Sequence, residues 1–165
     1  MFIEKENRPD PVIEKEKILQ LEEYIKQNIP LTGFMNFSIS ELSKLSIKLT
    51  APLKPNDNHY GTVFGGSLAI LGILAGWGLL HYNMIDEKIK GTIVIKEGKM
   101  KFLRPALKEF EAVNNSLTEA DWISFKKCLS VEGRSKIKMQ SYLYSEGKLV
   151  GVHDGIYVAL SSPLK

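Results

Sequence analysis

Cysteine is almost missing from this sequence: Cys128 is the only one in 165 residues. That excludes an intrachain disulfide and leaves a cysteine-based metal cluster without ligands. No metal site is expected, and a reducing compartment, the cytoplasm, is favoured. No basic run with interleaved aromatics occurs, so nothing supports nucleic-acid binding. The opening residues, M-F-I-E-K-E-N-R-P-D-P, are charged and lack an apolar core, so no secretory signal is expected. Internal repeats and low-complexity segments are absent. The formal net charge of +3 is mild and merely compatible with an anionic ligand. Length and composition suit one ordinary globular domain with a real core.

The most informative absence is of charge between Val63 and Leu80. A run this long is a membrane-span candidate, or a helix buried on all sides in a soluble protein. Gly65, Ala69, Gly72 and Gly76 recur at steps of four, three and four, which places small residues in one stripe along a helix. Such a helix can approach another backbone closely along that stripe. In water something must wrap it, and a long curved sheet is the natural wrapper.

The rest of the chain supplies one. Residues 1–9 read as a loose tail, and residues 10–165 as one domain. Asp10 and Pro11 form a helix start, with Ile18, Leu21 and Ile25 on one face and a stop near Asn28 imposed by Pro30. Period-two alternation over Met35–Ser40 and Leu45–Leu53 predicts two strands. Pro52–Tyr60 is a loop, and the apolar helix follows, ending around 81–84. A strand over Thr92–Arg104 changes its apolar parity near Gly98, where a bulge or bend is expected. Phe110 and Ala112 suggest a short strand. Thr118 and Asp121 form a variant capping box for a helix through Trp122, Phe125 and Leu129, ended by Gly133. Ser135–Tyr144 and Leu149–Leu160 form a hairpin around Glu146-Gly147. In the last strand Val150, Val152, Ile156 and Val158 share a face with Asp154. His153 points the other way, and His81 sits near a helix C-terminus; both read as structural. One antiparallel sheet around one apolar helix satisfies every pattern, which makes the membrane reading the weaker one: a spanning helix would leave six amphipathic strands needing a core of their own.

The stretches Ala51–Leu68 (A-P-L-K-P-N-D-N-H-Y-G-T-V-F-G-G-S-L), Leu74–Leu80 (L-A-G-W-G-L-L), Phe102–Ala106 (F-L-R-P-A) and Gly155–Ala159 (G-I-Y-V-A) resemble the hot-dog-fold thioesterases, specifically the YiiD-type thioesterase domain. The resemblance covers most of the chain from about residue 13 onward. It implies an α+β hot-dog fold, a homodimer or dimer of dimers, no bound cofactor, and acyl-thioester substrates carried on coenzyme A or acyl carrier protein and bound at the dimer interface.

Thioester hydrolysis needs a place for the developing oxyanion, a group to position or deprotonate water, and an acyl slot. Gly65 and Gly66 open the long helix, where unpaired N–H groups and the positive end of the macrodipole favour an oxyanion; alternatively, they only permit tight packing. Asn58 and His59 are candidates to position the carbonyl or the water, with Asp57 and Asp154 as further candidate bases. Turn formation is the competing role for the asparagines. The resemblance also draws Asn56, Tyr60, Thr62, Phe64 and Ser67 into the substrate-binding motif. Arg104, with Arg134, Lys136 and Lys138 as alternatives, is placed to meet a phosphate of coenzyme A. Two departures stand out. Relatives carry N-x-x-G-x-x-H-G-G before the helix, and here Phe64 replaces the histidine. Relatives place an acid seven residues past the second glycine, and here that position is Ile73. The usual base is missing, so a non-catalytic acyl-thioester binding module on the same fold is the alternative.

Overall fold

These patterns resolve into four helices and six strands in a computed structural model that describes residues 11–162. The tail expected over 1–9 and the helix start at Asp10 lie outside the described residues. Helix α1 (Pro11–Asn28) buries Leu21 and Ile25. It stops where the proline effect requires, with Ile29 at φ −126° and ψ 80°. Pro30 then opens a single helical turn, α2 (Pro30–Phe34), a position proline suits. This turn was not expected from the alternation. Met35 and Phe37 are buried, as that alternation implied. They precede β1 (Ser38–Leu42), however, because Asn36 at φ 52° breaks the extended run between them.

β2 (Ile47–Ala51) pairs with β1, and the loop after it leads into α3 (Gly65–Asp86). The 22 residues of α3 span about 33 Å at 1.5 Å per residue and continue past the expected end at 81–84. There follow β3 (Thr92–Phe102), β4 (Phe110–Asn114), α4 (Glu119–Glu132), β5 (Arg134–Ser145) and β6 (Lys148–Leu160). The strands form one antiparallel sheet in the order β1-β2-β4-β5-β6-β3. α3 lies against one face of it, mostly buried, in the arrangement of the hot-dog fold. α4 starts as expected, with Asp121 N–H donating to Thr118 Oγ1 at 3.1 Å, and ends at Gly133 with φ 68°. Glu146 and Gly147, at φ 51° and 71°, make the tight turn between β5 and β6.

The small-residue stripe seats the helix on the sheet. A Cβ on Gly72 would lie 2.8 Å from His153 Cβ, and one on Gly76 would lie 2.4 Å from Tyr157 Oη. The close approach is fixed by hydrogen bonds to the helix backbone: Ser141 Oγ donates to Gly72 O at 2.8 Å, and Tyr157 Oη to Ile73 O at 2.9 Å.

The packing decides which face of β6 turns inward and corrects the place of the β3 bulge. The face of β6 turned to α3 carries Gly151, His153, Gly155, Tyr157 and Ala159, all buried. The valine face, with Asp154, is the outer one. Large sheet side chains fit the helix glycines, so the inner face is not the more apolar one. The bulge of β3 falls between Ile95 and Glu97 rather than at Gly98. Gly98 sits in regular register opposite Gly155, and a Cβ there would lie 3.1 Å from His153 Nε2. Its small size admits the imidazole.

Candidate functional site

The loop from Pro52 to Phe64 is held by its own asparagines. Asn56 is 3% exposed, and its Nδ2 donates to Met35 O at 2.8 Å and Pro52 O at 2.9 Å. It ties the loop to the lead-in of β1. Asn58 closes the next turn. Its Oδ1 accepts from the N–H groups of Tyr60 (2.9 Å) and Thr62 (3.2 Å), and its Nδ2 donates to Thr62 Oγ1 (2.9 Å). Gly61, at φ 75°, supplies the left-handed residue this turn requires. Phe64 N–H then donates to Asn56 O, and Val63 N–H to Ala106 O, both at 2.8 Å. The second bond stitches the F-L-R-P-A segment to the start of α3.

At that start the backbone leaves donors free. Ser67 and Leu68 N–H donate to Phe64 O at 2.9 and 3.2 Å. The N–H groups of Gly65 and Gly66 have no acceptor among the described residues. Phe64, the N-cap, offers no side-chain cap, and the first turn has no acidic residue. The positive end of a 22-residue helix is therefore uncompensated by any carboxylate of its own. Two aromatic rings flank it. A Cβ on Gly66 would lie 2.2 Å from Phe64 Cε1, and one on Gly65 would lie 3.2 Å from Phe102 Cε1. Both rings are more than half exposed, at 57% and 58%, and Leu103, Leu107 and Tyr60 are exposed as well. The result is a pair of unpaired N–H groups between exposed apolar surfaces. Such an arrangement can receive a carbonyl oxygen with an apolar group beside it.

Asn56, Asp57, Asn58, Thr62, Phe64, Gly65, Gly66 and Ser67 come together at this loop–helix junction. Asn56 and Asn58 spend their side chains on the loop, as turn-forming residues do. Asp57 pairs with Lys54, and the ammonium hydrogen-bonded to it holds the carboxyl below the ordinary aspartate value, which makes it a weaker base. His59 is exposed, its ring 3.8 Å between centroids from that of Tyr60. Ser67 is buried in the first turn. Arg104 is exposed on the stitched segment, in no ion pair among the described residues. Asp154 is not part of the cluster. It lies half-buried on the outer face of the sheet, accepting from Gln140 Nε2 at 2.7 Å.

The other two histidines are remote from the loop. His81 is stacked between Tyr24 and Trp77, each at 4.5 Å between centroids, and burial pushes it down to about 4. His153 is buried against Gly72 and is likewise pushed down by burial, with the charge of Asp154 opposing. Phe102 was not among the sequence candidates. Its signal was indirect: it is the aromatic that opens the F-L-R-P-A motif, and its ring lies where Gly65 has no Cβ.

The sequence profile of a family described as "Putative thioesterase (yiiD_Cterm)" matches residues 18–161. Among solved structures, a protein of unknown function from Chlorobaculum tepidum TLS has a TM-score of 0.85 at 26% identity, with 90% of this chain and 97% of that one covered. A protein from Shewanella oneidensis, described in the family's own terms, has a TM-score of 0.79 at 25% identity, covering 88% and 99%. A Pseudomonas aeruginosa protein described as "Probable Thioesterase" shares the fold, with a TM-score of 0.77 at 19% identity over 87% and 95%.

Proposed function

The chain belongs to the YiiD-type family of hot-dog-fold thioesterases, and we propose that it hydrolyses acyl thioesters carried on coenzyme A or on an acyl carrier protein. The observation that carries the reading is the pair of unpaired N–H groups at Gly65 and Gly66, at the positive end of α3 and between the rings of Phe64 and Phe102. In this mechanism the thioester carbonyl oxygen lies against those N–H groups. Water attacks the carbonyl carbon and the oxygen takes up negative charge, held by the two donors and the helix dipole. The C–S bond then breaks, and the proton taken from water passes to the thiolate. His59 is the residue proposed to carry that proton, since Asp57 is paired and Asp154 is on the other face of the sheet. The exposed apolar residues around the helix start form the acyl slot. Coenzyme A enters only as part of a substrate, and the lone Cys128 fits a cytoplasmic setting.

A two-fold dimer completes this site. β3 is an edge strand with one side unpaired, and Phe64, Phe102, Leu103 and Leu107 are exposed beside it, as a surface awaiting a second copy would be. Light scattering that gives twice the mass of 18.6 kDa supports this arrangement; the monomer mass refutes it.

Gly65→Pro tests the oxyanion site. Proline suits the first helical position, and the preceding Phe64 is already extended at φ −63° and ψ 134°. The variant keeps the helix and loses one N–H. kcat for thiol release is expected to fall about 100-fold or more, with the melting temperature within a few degrees of wild type. Unchanged kcat would remove Gly65 N–H from the reaction.

One observation favours a second reading, a binding module without turnover. The helix carries no acid before Asp86 at its far end, Ile73 and Phe64 occupy the positions where relatives hold their polar groups, and Asn58 is committed to its turn. Binding of acyl thioesters without thiol release would decide for it.

A further inference from the structure

The chain's positive charge is concentrated on three neighbouring strands. β3, β5 and β6 together hold seven Lys and Arg against two Asp and Glu, a net of +5 in a chain whose total is +3. The remainder of the molecule is therefore net negative by two. Strand alternation places Lys99 and Lys101 of β3 and Lys136 and Lys138 of β5 on the side of the sheet opposite α3, in register with the outward residues of β6. All four are exposed, and none is in an ion pair among the described residues. The two carboxylates on these strands are both engaged. Glu97 pairs with Lys96 at 3.5 Å, and Asp154 accepts from Gln140. Between the lysine rows run the half-buried Val152 and Ile156. A shallow depression of about 520 Å³ opens between Lys99 and Lys138, with the backbone of Gly98 and Gly155 in its lining.

We propose that this outer face of β3, β6 and β5 docks an acidic helix of an acyl carrier protein, which makes a carrier-bound thioester the substrate of the site at Gly65. The inference rests on the hydrolase reading for its chemistry but not for its docking. Dimensions separate the two carriers. The lysine rows extend roughly 20 Å along the strands and about 10 Å across them, the footprint of an α-helix of about 13 residues. The phosphates of coenzyme A are clustered and would use only one end of such a face. A second copy of this chain is disfavoured, because two faces that each carry Lys99, Lys101, Lys136 and Lys138 repel. Position also fits. Lys101 is followed by Phe102, whose ring lies against Gly65, so the basic face ends beside the proposed oxyanion site and an acyl arm need only round the end of β3.

The test compares wild type with Lys99→Glu/Lys101→Glu, two exposed positions on the outer side of β3, after melting curves establish that both fold. Binding of a fluorescently labelled acidic acyl carrier protein is measured by anisotropy. Hydrolysis is followed with one acyl group, octanoyl, presented on that carrier and on coenzyme A. The proposal expects the variant to bind the carrier at least tenfold more weakly. It expects kcat/KM for octanoyl-carrier to fall by a similar factor while that for octanoyl-CoA stays within twofold. Raising salt from 50 to 300 mM is expected to weaken wild-type carrier binding several-fold. Equal carrier binding by wild type and variant overturns it. So does wild-type binding to an RNA oligonucleotide or to phosphatidylserine vesicles as tight as binding to the carrier, which would mean nonspecific polyanion attraction. Octanoyl-CoA turnover without carrier binding refutes the docking face and leaves the hydrolase reading standing. Carrier binding without turnover of either thioester supports the face and refutes the hydrolase reading.

Discussion

Adding one methyl group to Gly76 sets helix propensity against packing, and the structure says which prevails. In a helix interior, alanine is better than glycine by about 1 kcal/mol. At Gly76, however, the new Cβ would lie 2.4 Å from Tyr157 Oη and 2.6 Å from Cζ, far inside contact distance. Tyr157 is fully buried and donates to Ile73 O, so its ring cannot yield without disturbing the sheet. Overpacking costs about 1–3 kcal/mol, and the lost hydrogen bond about 1 kcal/mol more. Gly76→Ala is thus destabilised by about 1–3 kcal/mol net, or roughly 3–10 °C in Tm at this chain length. Gly78 is the internal control, two residues along the same helix. Its added Cβ would meet Ile47 Cδ1 at 3.4 Å, an ordinary contact, so Gly78→Ala is expected to gain about 0.5–1 kcal/mol. Urea titration followed by circular dichroism gives both values on one scale. If the two variants shift in the same direction, the seating of α3 on Tyr157 is wrong.

The buried histidines make stability depend on acid. His81 ionises at about 4 in the folded protein and near 6.5 when unfolded. Across that interval the unfolded chain holds the extra proton, so stability falls as pH drops, by up to about 1.4 kcal/mol per pH unit. His153, shifted in the same direction by burial, steepens the fall. His81→Phe keeps the stack with Tyr24 and Trp77 and should lose less Tm between pH 7 and pH 5 than wild type; an equal loss would assign the acid sensitivity to other groups. Asn56→Ala leaves Met35 O and Pro52 O without their donor, which should cost about 1–3 kcal/mol. Differential scanning fluorimetry measures it, and a Tm shift under 2 °C would mean that water replaces the amide.

Much of the fold was legible because each signal had one local cause. The Gly72 and Gly76 stripe, the Thr118 cap and the Glu146-Gly147 turn all sit where their chemistry placed them. The failures share a different cause, that long-range packing decided them. Hydrophobic alternation grouped the valines of β6 on one face but left open which face turns inward; the helix glycines select shape, and His153 and Tyr157 fill those gaps. Gly98 looked like a backbone bend and proved to be room for an imidazole. The one-turn helix at Pro30 is too short to have a period.

At the candidate site the Gly65-Gly66 pair and the polar loop were legible together. The rings of Phe64 and Phe102 over those glycines were not, since one of the contacts spans 37 residues of chain. Asn58 shows the limit of reading residue types. An amide suited to holding a substrate carbonyl is equally suited to closing its own turn, and here it does the latter.

The most direct test of the central claim is release of free thiol from short, long and aromatic acyl-CoAs and from acyl carrier protein thioesters, by wild type and His59→Ala side by side. The account expects turnover by wild type on at least one carrier and a fall of about 100-fold or more in the variant, with unchanged melting. No thiol from any substrate, despite measurable binding, would contradict hydrolysis and make this chain a thioester-binding module.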